Sequence, residues 1–216
     1  MKVTLFDYGA GNLHSLAKAL ALAEPRADGR IESDPGAALD TRVVVLPGVG
    51  AFGPAAARLA PARERVREAL AGGLPCVAIC LGMQLLFDRS DEGAGEGLGL
   101  VPGRVRALEA ERVPHMGWNV LEWAGVGAGG ASGPPWPEHG SAPLALAYFA
   151  HSFVCAPGDE RAVLAWTRHE DDRFPSLVRV ANTIGAQFHP EKSSAPGLAF
   201  LREALAAVTS GEGAAR

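Results

Sequence analysis

Cys80 is the residue with the clearest context for nucleophilic chemistry. It follows an apolar run and precedes a segment, residues 83–87, with the composition of a helix. A strand, a sharp turn and a helix with the nucleophile at the turn form a nucleophile elbow, which needs small residues two positions before and after the nucleophile. Ala78 and Gly82 meet that requirement. A helix N-terminus here would favour the thiolate, and the Leu81 amide would point toward charge developing on an attacked carbonyl.

The other two cysteines, Cys76 and Cys155, lie within predicted strands and are interpreted as small buried hydrophobic residues. The spacing of Cys76 and Cys80 does not suit a zinc pair, and the sequence has no second pair. We therefore predict neither a metal site, nor a cofactor, nor a disulfide framework.

A histidine and a glutamate near the C-terminus could complete the chemistry. A predicted strand over residues 183–188 leads into His189-Pro190-Glu191. Proline favours an extended conformation at the residue before it, so the two side chains can project to one side. In a Cys-His-Glu triad, histidine moves the proton and glutamate orients the ring. Alone this segment would be read as a surface turn, but together with the elbow it predicts a triad.

The remaining histidines carry less information. His14, His139 and His169 have no supporting context and are predicted to lie on the surface. His151 follows an apolar run, so it lies either near the active site or in the core.

The first half of the chain alternates short apolar runs with amphipathic segments, which predicts a parallel sheet covered on both faces. The predicted strands cover residues 3–6, 43–46 and 76–79, and the predicted helices cover residues 13–22 and 54–70. From residue 103 onward, strands follow one another without long helices between them, which predicts antiparallel additions. These strands cover residues 105–108, 120–123, 146–154, 163–167, 177–180 and 183–188, before a last helix at 197–208.

Length and composition favour one domain over residues 1–210, with a Gly- and Pro-rich loop insertion at 124–143 and a flexible tail at 211–216. The net charge is −4 and no basic block occurs, which argues against nucleic acid as a partner. An acidic residue at position 7 precludes a signal-peptide core, and no apolar run is long enough for a membrane span. We therefore expect a cytoplasmic protein that does not enter a membrane.

Two segments resemble the class I glutamine amidotransferases, namely ICLGMQ at 79–84 and GAQFHPEKS at 185–193. The similarity extends over nearly the whole chain. Three further segments resemble the glutaminase subunits of imidazole glycerol phosphate synthase: DYGAGNL at 7–13, LPGVGAF at 46–52 and PHMGWN at 114–119. The resemblance implies a three-layer, doubly wound α/β fold of the flavodoxin-like kind, whose mostly parallel sheet has antiparallel additions.

The resemblance also implies roles for further residues. The backbone of Gly48, Val49 and Gly50 would complete an oxyanion hole with Leu81, through a peptide flip that we hypothesise to be controlled by binding of the partner or of substrate. The ends of glutamine would be held by Gln84, Glu92, Ser152 and Phe153. The partner would be contacted by Asn12, Met116, Trp118 and Lys192, although a strand tryptophan is more often a core residue.

By the same resemblance, L-glutamine is hydrolysed through a γ-glutamyl thioester on Cys80. Ammonia then passes to a (β/α)₈-barrel cyclase subunit in a heterodimer. The cyclase would make imidazole glycerol phosphate and an aminoimidazole carboxamide ribotide, in histidine biosynthesis.

Several alternatives remain open. The chain could be the glutaminase subunit of pyridoxal phosphate synthase or anthranilate synthase, a cysteine peptidase-like hydrolase, or a non-catalytic binding module of the same fold. The segment Gly9-Ala10-Gly11 suggests a dinucleotide loop, but position 14 is histidine where that motif needs a third glycine. We set that interpretation aside.

Overall fold

The computed structural model describes residues 1–9, 11–124 and 144–210, and over these ranges it contains fourteen strands and six α-helices. The strands are β1 (Lys2–Phe6), β2 (Asp28–Glu32), β3 (Val43–Leu46), β4 (Cys76–Ile79), β5 (Arg89–Ser90), β6 (Gly93–Glu96), β7 (Gly103–Ala107), β8 (His115–Val120), β9 (Glu122–Trp123), β10 (Leu146–His151), β11 (Phe153–Pro157), β12 (Val163–His169), β13 (Asp172–Val180) and β14 (Thr183–Ala186). The helices are α1 (Leu13–Ala23), α2 (Pro35–Leu39), α3 (Phe52–Leu59), α4 (Arg63–Ala71), α5 (Leu81–Gln84) and α6 (Ser194–Thr209).

The central sheet has eight strands in the order β2-β1-β3-β4-β14-β13-β12-β9. The first five are mutually parallel, and the last three are added antiparallel. This confirms the predicted mostly parallel sheet with antiparallel additions.

Helices cover both faces of the sheet because its central strands are apolar on both sides. Val43 and Val45 face the cluster that includes α1 and α6, whereas Val44 and Leu46 face the cluster of α2, α3 and α4. The alternation follows from the two-residue period of a strand. The result is the three-layer arrangement that the sequence predicts.

Two smaller sheets extend the second half of the molecule. One pairs β8 with β10, and the other has the order β11-β7-β5-β6. An ion pair joins the four-stranded sheet to the central sheet. The two terminal nitrogens of Arg106 on β7 donate to the carboxylate of Asp172 on β13, at 2.7 and 2.6 Å. Burial raises the pKa of Asp172, but the Arg106 guanidinium and the Glu109 N–H together outweigh this effect and hold that pKa below its usual value.

Three predicted elements were wrong in extent. The helix predicted over 54–70 is divided into α3, a 3₁₀ turn (Ala60–Ala62) and α4, because Pro61 has no backbone N–H to continue the helix. The strand predicted over 146–154 is divided at Ser152 into β10 and β11, which belong to different sheets. The strand predicted over 120–123 is instead β8, which ends at Val120, followed by the short β9.

The helix predicted over 83–87 was also wrong, because α5 is one turn long and ends at Gln84. The carbonyls of Leu85, Leu86 and Phe87 accept hydrogen bonds from the backbone of residues 98–101. They are therefore unavailable for a longer helix. Strands β2, β5 and β6 and helix α2 were not predicted.

The loop prediction for residues 124–143, apart from Ala124, and the tail prediction for 211–216 lie outside the described residues, as do Ala10 and His139. Within the described ranges, no helix combines the length and the apolar character that crossing a membrane requires.

Candidate active site

Strands β4 and β14 bring the predicted nucleophile and the predicted base together. They are parallel neighbours, and Ile79 pairs with Ala186 at their carboxyl ends. Cys80 and His189 follow those ends, and the Cys80 N–H donates to the Ala186 carbonyl at 2.6 Å. Two residues separated by more than a hundred positions therefore lie at one edge of the sheet.

The backbone of Cys80 has the strained geometry of a nucleophile elbow. Its φ of 50° and ψ of −105° are unusual for a residue with a side chain. A hydrogen bond from the Gln84 N–H to the Cys80 carbonyl, at 3.0 Å, closes the turn. A Cβ atom at Gly82 would lie 2.0 Å from the Leu46 carbonyl oxygen, so only glycine fits there. The elbow requires a small residue at position 82 because the backbone of β3 packs directly against it.

His189 and Glu191 form a buried pair. The Nδ1 atom of His189 lies 2.8 Å from the Glu191 Oε1 atom, and the two side chains are 1% and 2% exposed. The Nε2 atom of His189 is buried without a hydrogen bond of standard geometry among the described residues. Because Nδ1 is engaged by a carboxylate, Nε2 is the nitrogen that is available for proton transfer.

The charge state of His189 depends on both neighbours. Burial disfavours the charged ring, but interactions with Cys80 and Glu191 outweigh burial and raise the pKa of His189 to about 9. A protonated ring near neutral pH follows, and an imidazolium beside Cys80 is the kind of neighbour that activates a cysteine nucleophile.

Asn12 makes an unpredicted contact with this pair. Its Nδ2 atom donates to the Glu191 Oε1 atom at 2.7 Å, the same oxygen that contacts His189. Sequence reasoning assigned Asn12 to a partner surface on resemblance alone. The contact joins residues 179 positions apart, and no local pattern in the sequence indicates it.

Cys80 opens into a cavity of about 210 Å³. The cavity gathers most of the residues assigned to the oxyanion hole and to glutamine, which are Val49, Gly50, Leu81, Gln84, Glu92, Ser152 and Phe153. Met116 and His151 also line it. Sequence reasoning left the place of His151 open, and the structure puts it in this wall.

Two of the residues assigned to glutamine already have partners within the chain. Gln84 Nε2 donates to the Phe153 carbonyl at 3.0 Å. One carboxylate oxygen of Glu92 accepts the Phe52 N–H at 2.7 Å, which fixes its side chain at the cavity wall. A fixed carboxylate beside the cavity is suited to an ammonium group.

The segment 47–50 packs against the elbow. A Cβ atom at Gly48 would lie 2.5 Å from the Leu81 Cβ atom, so a side chain there would displace the elbow. The Val49 carbonyl accepts the Gly11 N–H at 3.2 Å, and the Tyr8 hydroxyl donates to the Pro47 carbonyl. The first loop of the chain therefore holds the segment assigned to the oxyanion hole.

The other residues assigned to the partner lie at the surface. Met116 is 65% exposed and Trp118 is 48% exposed, so the core interpretation of this tryptophan is wrong. Lys192 lies above the Tyr148 ring, with 5.7 Å between its Nζ atom and the ring centroid.

A histidine group lies behind the cavity. His115 Nδ1 is 3.1 Å from His151 Nε2, and the His169 ring stacks on His115 with 4.3 Å between centroids. Burial lowers the pKa of His115 to about 4 and that of His151 to about 3, so both are neutral. His169 is partly buried, which differs from the predicted surface position, whereas His14 is exposed as predicted. In the described ranges, no group of three or more potential ligand side chains is arranged to hold a metal ion.

Comparison with known proteins identifies the family. The family model of class I glutamine amidotransferases matches residues 4–207. The chain is 43% identical to "Imidazole glycerol phosphate synthase subunit HisH" of Halobacterium salinarum, over 93% of the chain and 90% of that protein. It is also 43% identical to the subunit of the same name from Thermus thermophilus, over 93% of the chain and 95% of that protein.

Solved structures share the fold at low sequence identity. A structure titled "Crystal structure of glutamine amidotransferase" superposes with a TM-score of 0.67 at 18% identity, covering 94% of this chain and 98% of that one. The structure of PurLQS from Thermotoga maritima gives 0.64 at 16% identity, covering 97% of each chain. The chain therefore belongs to the class I glutamine amidotransferases, within the family of HisH subunits of imidazole glycerol phosphate synthase.

Proposed function

We propose that Cys80, His189 and Glu191 are the catalytic triad by which this amidotransferase hydrolyses glutamine. The observation that carries the proposal is the placement of His189 between Glu191 and Cys80, at the carboxyl ends of adjacent parallel strands.

The reaction has two halves. The Cys80 thiolate attacks the γ-carbonyl carbon of glutamine, and imidazolium Nε2 of His189 gives its proton to the amide nitrogen as the C–N bond breaks. Ammonia leaves and a γ-glutamyl thioester remains. Water then attacks the thioester carbon and passes a proton to Nε2. Glutamate leaves, and the thiolate–imidazolium pair is restored.

The negative oxygen of each tetrahedral intermediate needs hydrogen-bond donors. Leu81 begins α5 immediately after the nucleophile, so its N–H is one proposed donor. The second comes from the backbone of Gly48, Val49 and Gly50, which packs against the elbow. Glycine on both sides of Val49 permits the peptide rotation that would present or withdraw this donor.

The proposed binding of the amino acid end uses other residues of the cavity wall. Glu92 suits the α-ammonium group because its carboxylate lies at the cavity. Ser152 and Phe153 offer polar and backbone groups for the α-carboxylate, and the side-chain oxygen of Gln84, whose amino group is engaged within the chain, can accept from the α-ammonium group.

The proposed partner is the cyclase subunit of the synthase, a (β/α)₈ barrel. An apolar strip supports a docking surface beside the cavity, because Met116, Trp118, Val120 and Leu146 are exposed on paired strands β8 and β10. A cluster of exposed apolar side chains is typical of protein–protein interfaces. Met116 belongs both to the strip and to the cavity wall, so docking there would enclose the site.

Delivery in an enclosed path has a chemical reason. Ammonia released into water near neutral pH becomes ammonium, which has no free electron pair to attack with. A path to the partner keeps the reactive form, and the partner would use it to form imidazole glycerol phosphate and the aminoimidazole carboxamide ribotide.

We also propose that residues 1–210 act as one domain. Both hydrophobic clusters pack on the two faces of the same central sheet, which supports this organisation.

The test is to trap the thioester. The protein is mixed with glutamine and its partner, quenched in acid and digested. We expect mass spectrometry to find one γ-glutamyl group on the peptide that contains Cys80. The same adduct on a peptide that contains Cys76 or Cys155 would contradict the proposal. So would the absence of an adduct from every peptide while the enzyme is hydrolysing glutamine.

A further inference from the structure

Two buried glutamines lie beside the nucleophile. Gln187 is fully buried and Gln84 is 4% exposed. The Nε2 atom of Gln187 donates to the Cys80 sulfur at 3.6 Å. Gln187 belongs to neither the triad nor the residues assigned to glutamine or the oxyanion hole.

The orientation of both side-chain amides follows from one backbone carbonyl. The Phe153 carbonyl can only accept, so the group 3.0 Å from it must be the Nε2 of Gln84. This amino group has a second hydrogen, which reaches the Oε1 atom of Gln187 at 3.3 Å. An oxygen is required at that end of Gln187, and its amino group therefore points toward Cys80.

The backbone also fixes Gln187. Gln187 lies one residue beyond the end of β14, and its N–H donates to the carbonyl of Ser176 on β13 at 3.0 Å. A donor that is anchored at both ends needs no reorganisation when charge forms on the sulfur.

We propose that Gln187 is a hydrogen-bond donor to the reacting sulfur that stabilises the Cys80 thiolate, and that Gln84 is the positioning residue that orients it. The inference rests on the proposed function, in which Cys80 is the nucleophile. A neutral amide is suited to this task because it stabilises an anion without giving up a proton. It therefore leaves proton transfer to His189.

The test measures the reactivity of the sulfur directly. The rate of Cys80 alkylation by iodoacetamide is followed against pH by mass spectrometry, and the midpoint of the curve is compared between variants. Burial raises the pKa of both Cys76 and Cys155 above their usual values, so they stay unreactive, and Cys80→Ala gives the background. The titratable side chains near the sulfur are unchanged in every variant; they are His189, Tyr8, Cys155 and the cavity residues His151 and Glu92.

In Gln187→Met, which has a similar size and no donor, we expect the midpoint to rise by about one pH unit. In Gln187→Glu we expect a larger rise, because a carboxylate replaces the donor. If Gln187→Met does not fold, Gln187→Glu still tests the inference. Thr183→Val is the matched control, since it removes a buried polar group at the other end of β14, and its midpoint should stay at the wild-type value.

An unchanged midpoint in folded Gln187→Met or Gln187→Glu would overturn the inference, even if glutamine turnover fell. Alkylation requires neither glutamine nor a partner. A failure of the glutaminase proposal, seen as thioester on another residue, is therefore distinguishable from a failure of this one.

Discussion

At the scale of single residues, two groups of the proposed active site each contact two neighbours, namely the His189 ring and one oxygen of Glu191. His189 is coupled to Cys80 on one side and to Glu191 on the other, and the Glu191 oxygen that contacts it also accepts from Asn12. The residues of the proposed triad could be predicted from the sequence because each lies in a short local motif. The contacts of Gln187 and Asn12 were not, since they join residues more than a hundred positions apart without a local signal.

Glu191→Gln tests the coupling at this scale. Removing the carboxylate removes an interaction that raises the pKa of His189, so that pKa should fall from about 9. Glutaminase kcat should fall by roughly 100-fold or more, because the ring loses its orienting anion. The pKa is measured by ¹⁵N NMR of the histidine ring.

Glu64→Gln, which changes an exposed glutamate on α4, serves as the control and should alter neither quantity. A His189 pKa that stays the same in Glu191→Gln would mean that the carboxylate does not act on the ring.

At the scale of elements, close packing of the elbow against β3 places the nucleophile. The sequence predicted the turn from Ala78 and Gly82. It could not predict that α5 ends after one turn, because the segment that binds the carbonyls of residues 85–87 lies at 98–101. Propensity favoured a helix there, and tertiary hydrogen bonds decided otherwise.

Gly82→Ala tests the packing. Its added methyl group would meet the Leu46 carbonyl, so we expect the free energy of unfolding to fall by about 1–3 kcal/mol, together with glutaminase activity. Urea denaturation measures the first effect.

Gly29→Ala is the matched control, because a Cβ atom at Gly29 meets nothing within 4 Å. It should unfold close to the wild-type urea concentration. Equal stability of the two variants would show that the elbow does not depend on this contact.

At the scale of the whole molecule, the order of the parallel strands brings the proposed nucleophile and the proposed base together. The pairing of β14 with β4 carries residues from the end of the chain to the nucleophile, and the two smaller sheets contribute Met116, Ala150, His151 and Phe153 to the cavity wall. Alternating apolar and amphipathic segments predicted this class of sheet. They did not predict β2, whose residues are mostly exposed or half-buried and so lack an apolar run.

The cavity also lies next to the surface proposed to bind the partner subunit. The cavity and the apolar strip share Met116, so the proposed chemistry and the proposed docking surface lie on one side of the fold. In the proposed complex, ammonia released at the cavity would pass to the partner before water protonates it.

The most direct test of the central claim, that Cys80 releases ammonia from glutamine for use by a partner, compares two nitrogen sources in one assay. The wild-type chain or Cys80→Ala is combined with the cyclase subunit, and synthesis of imidazole glycerol phosphate is measured with glutamine or with an ammonium salt. We predict that Cys80→Ala abolishes synthesis from glutamine and leaves synthesis from ammonium at the wild-type rate. Continued synthesis from glutamine by Cys80→Ala would contradict the account.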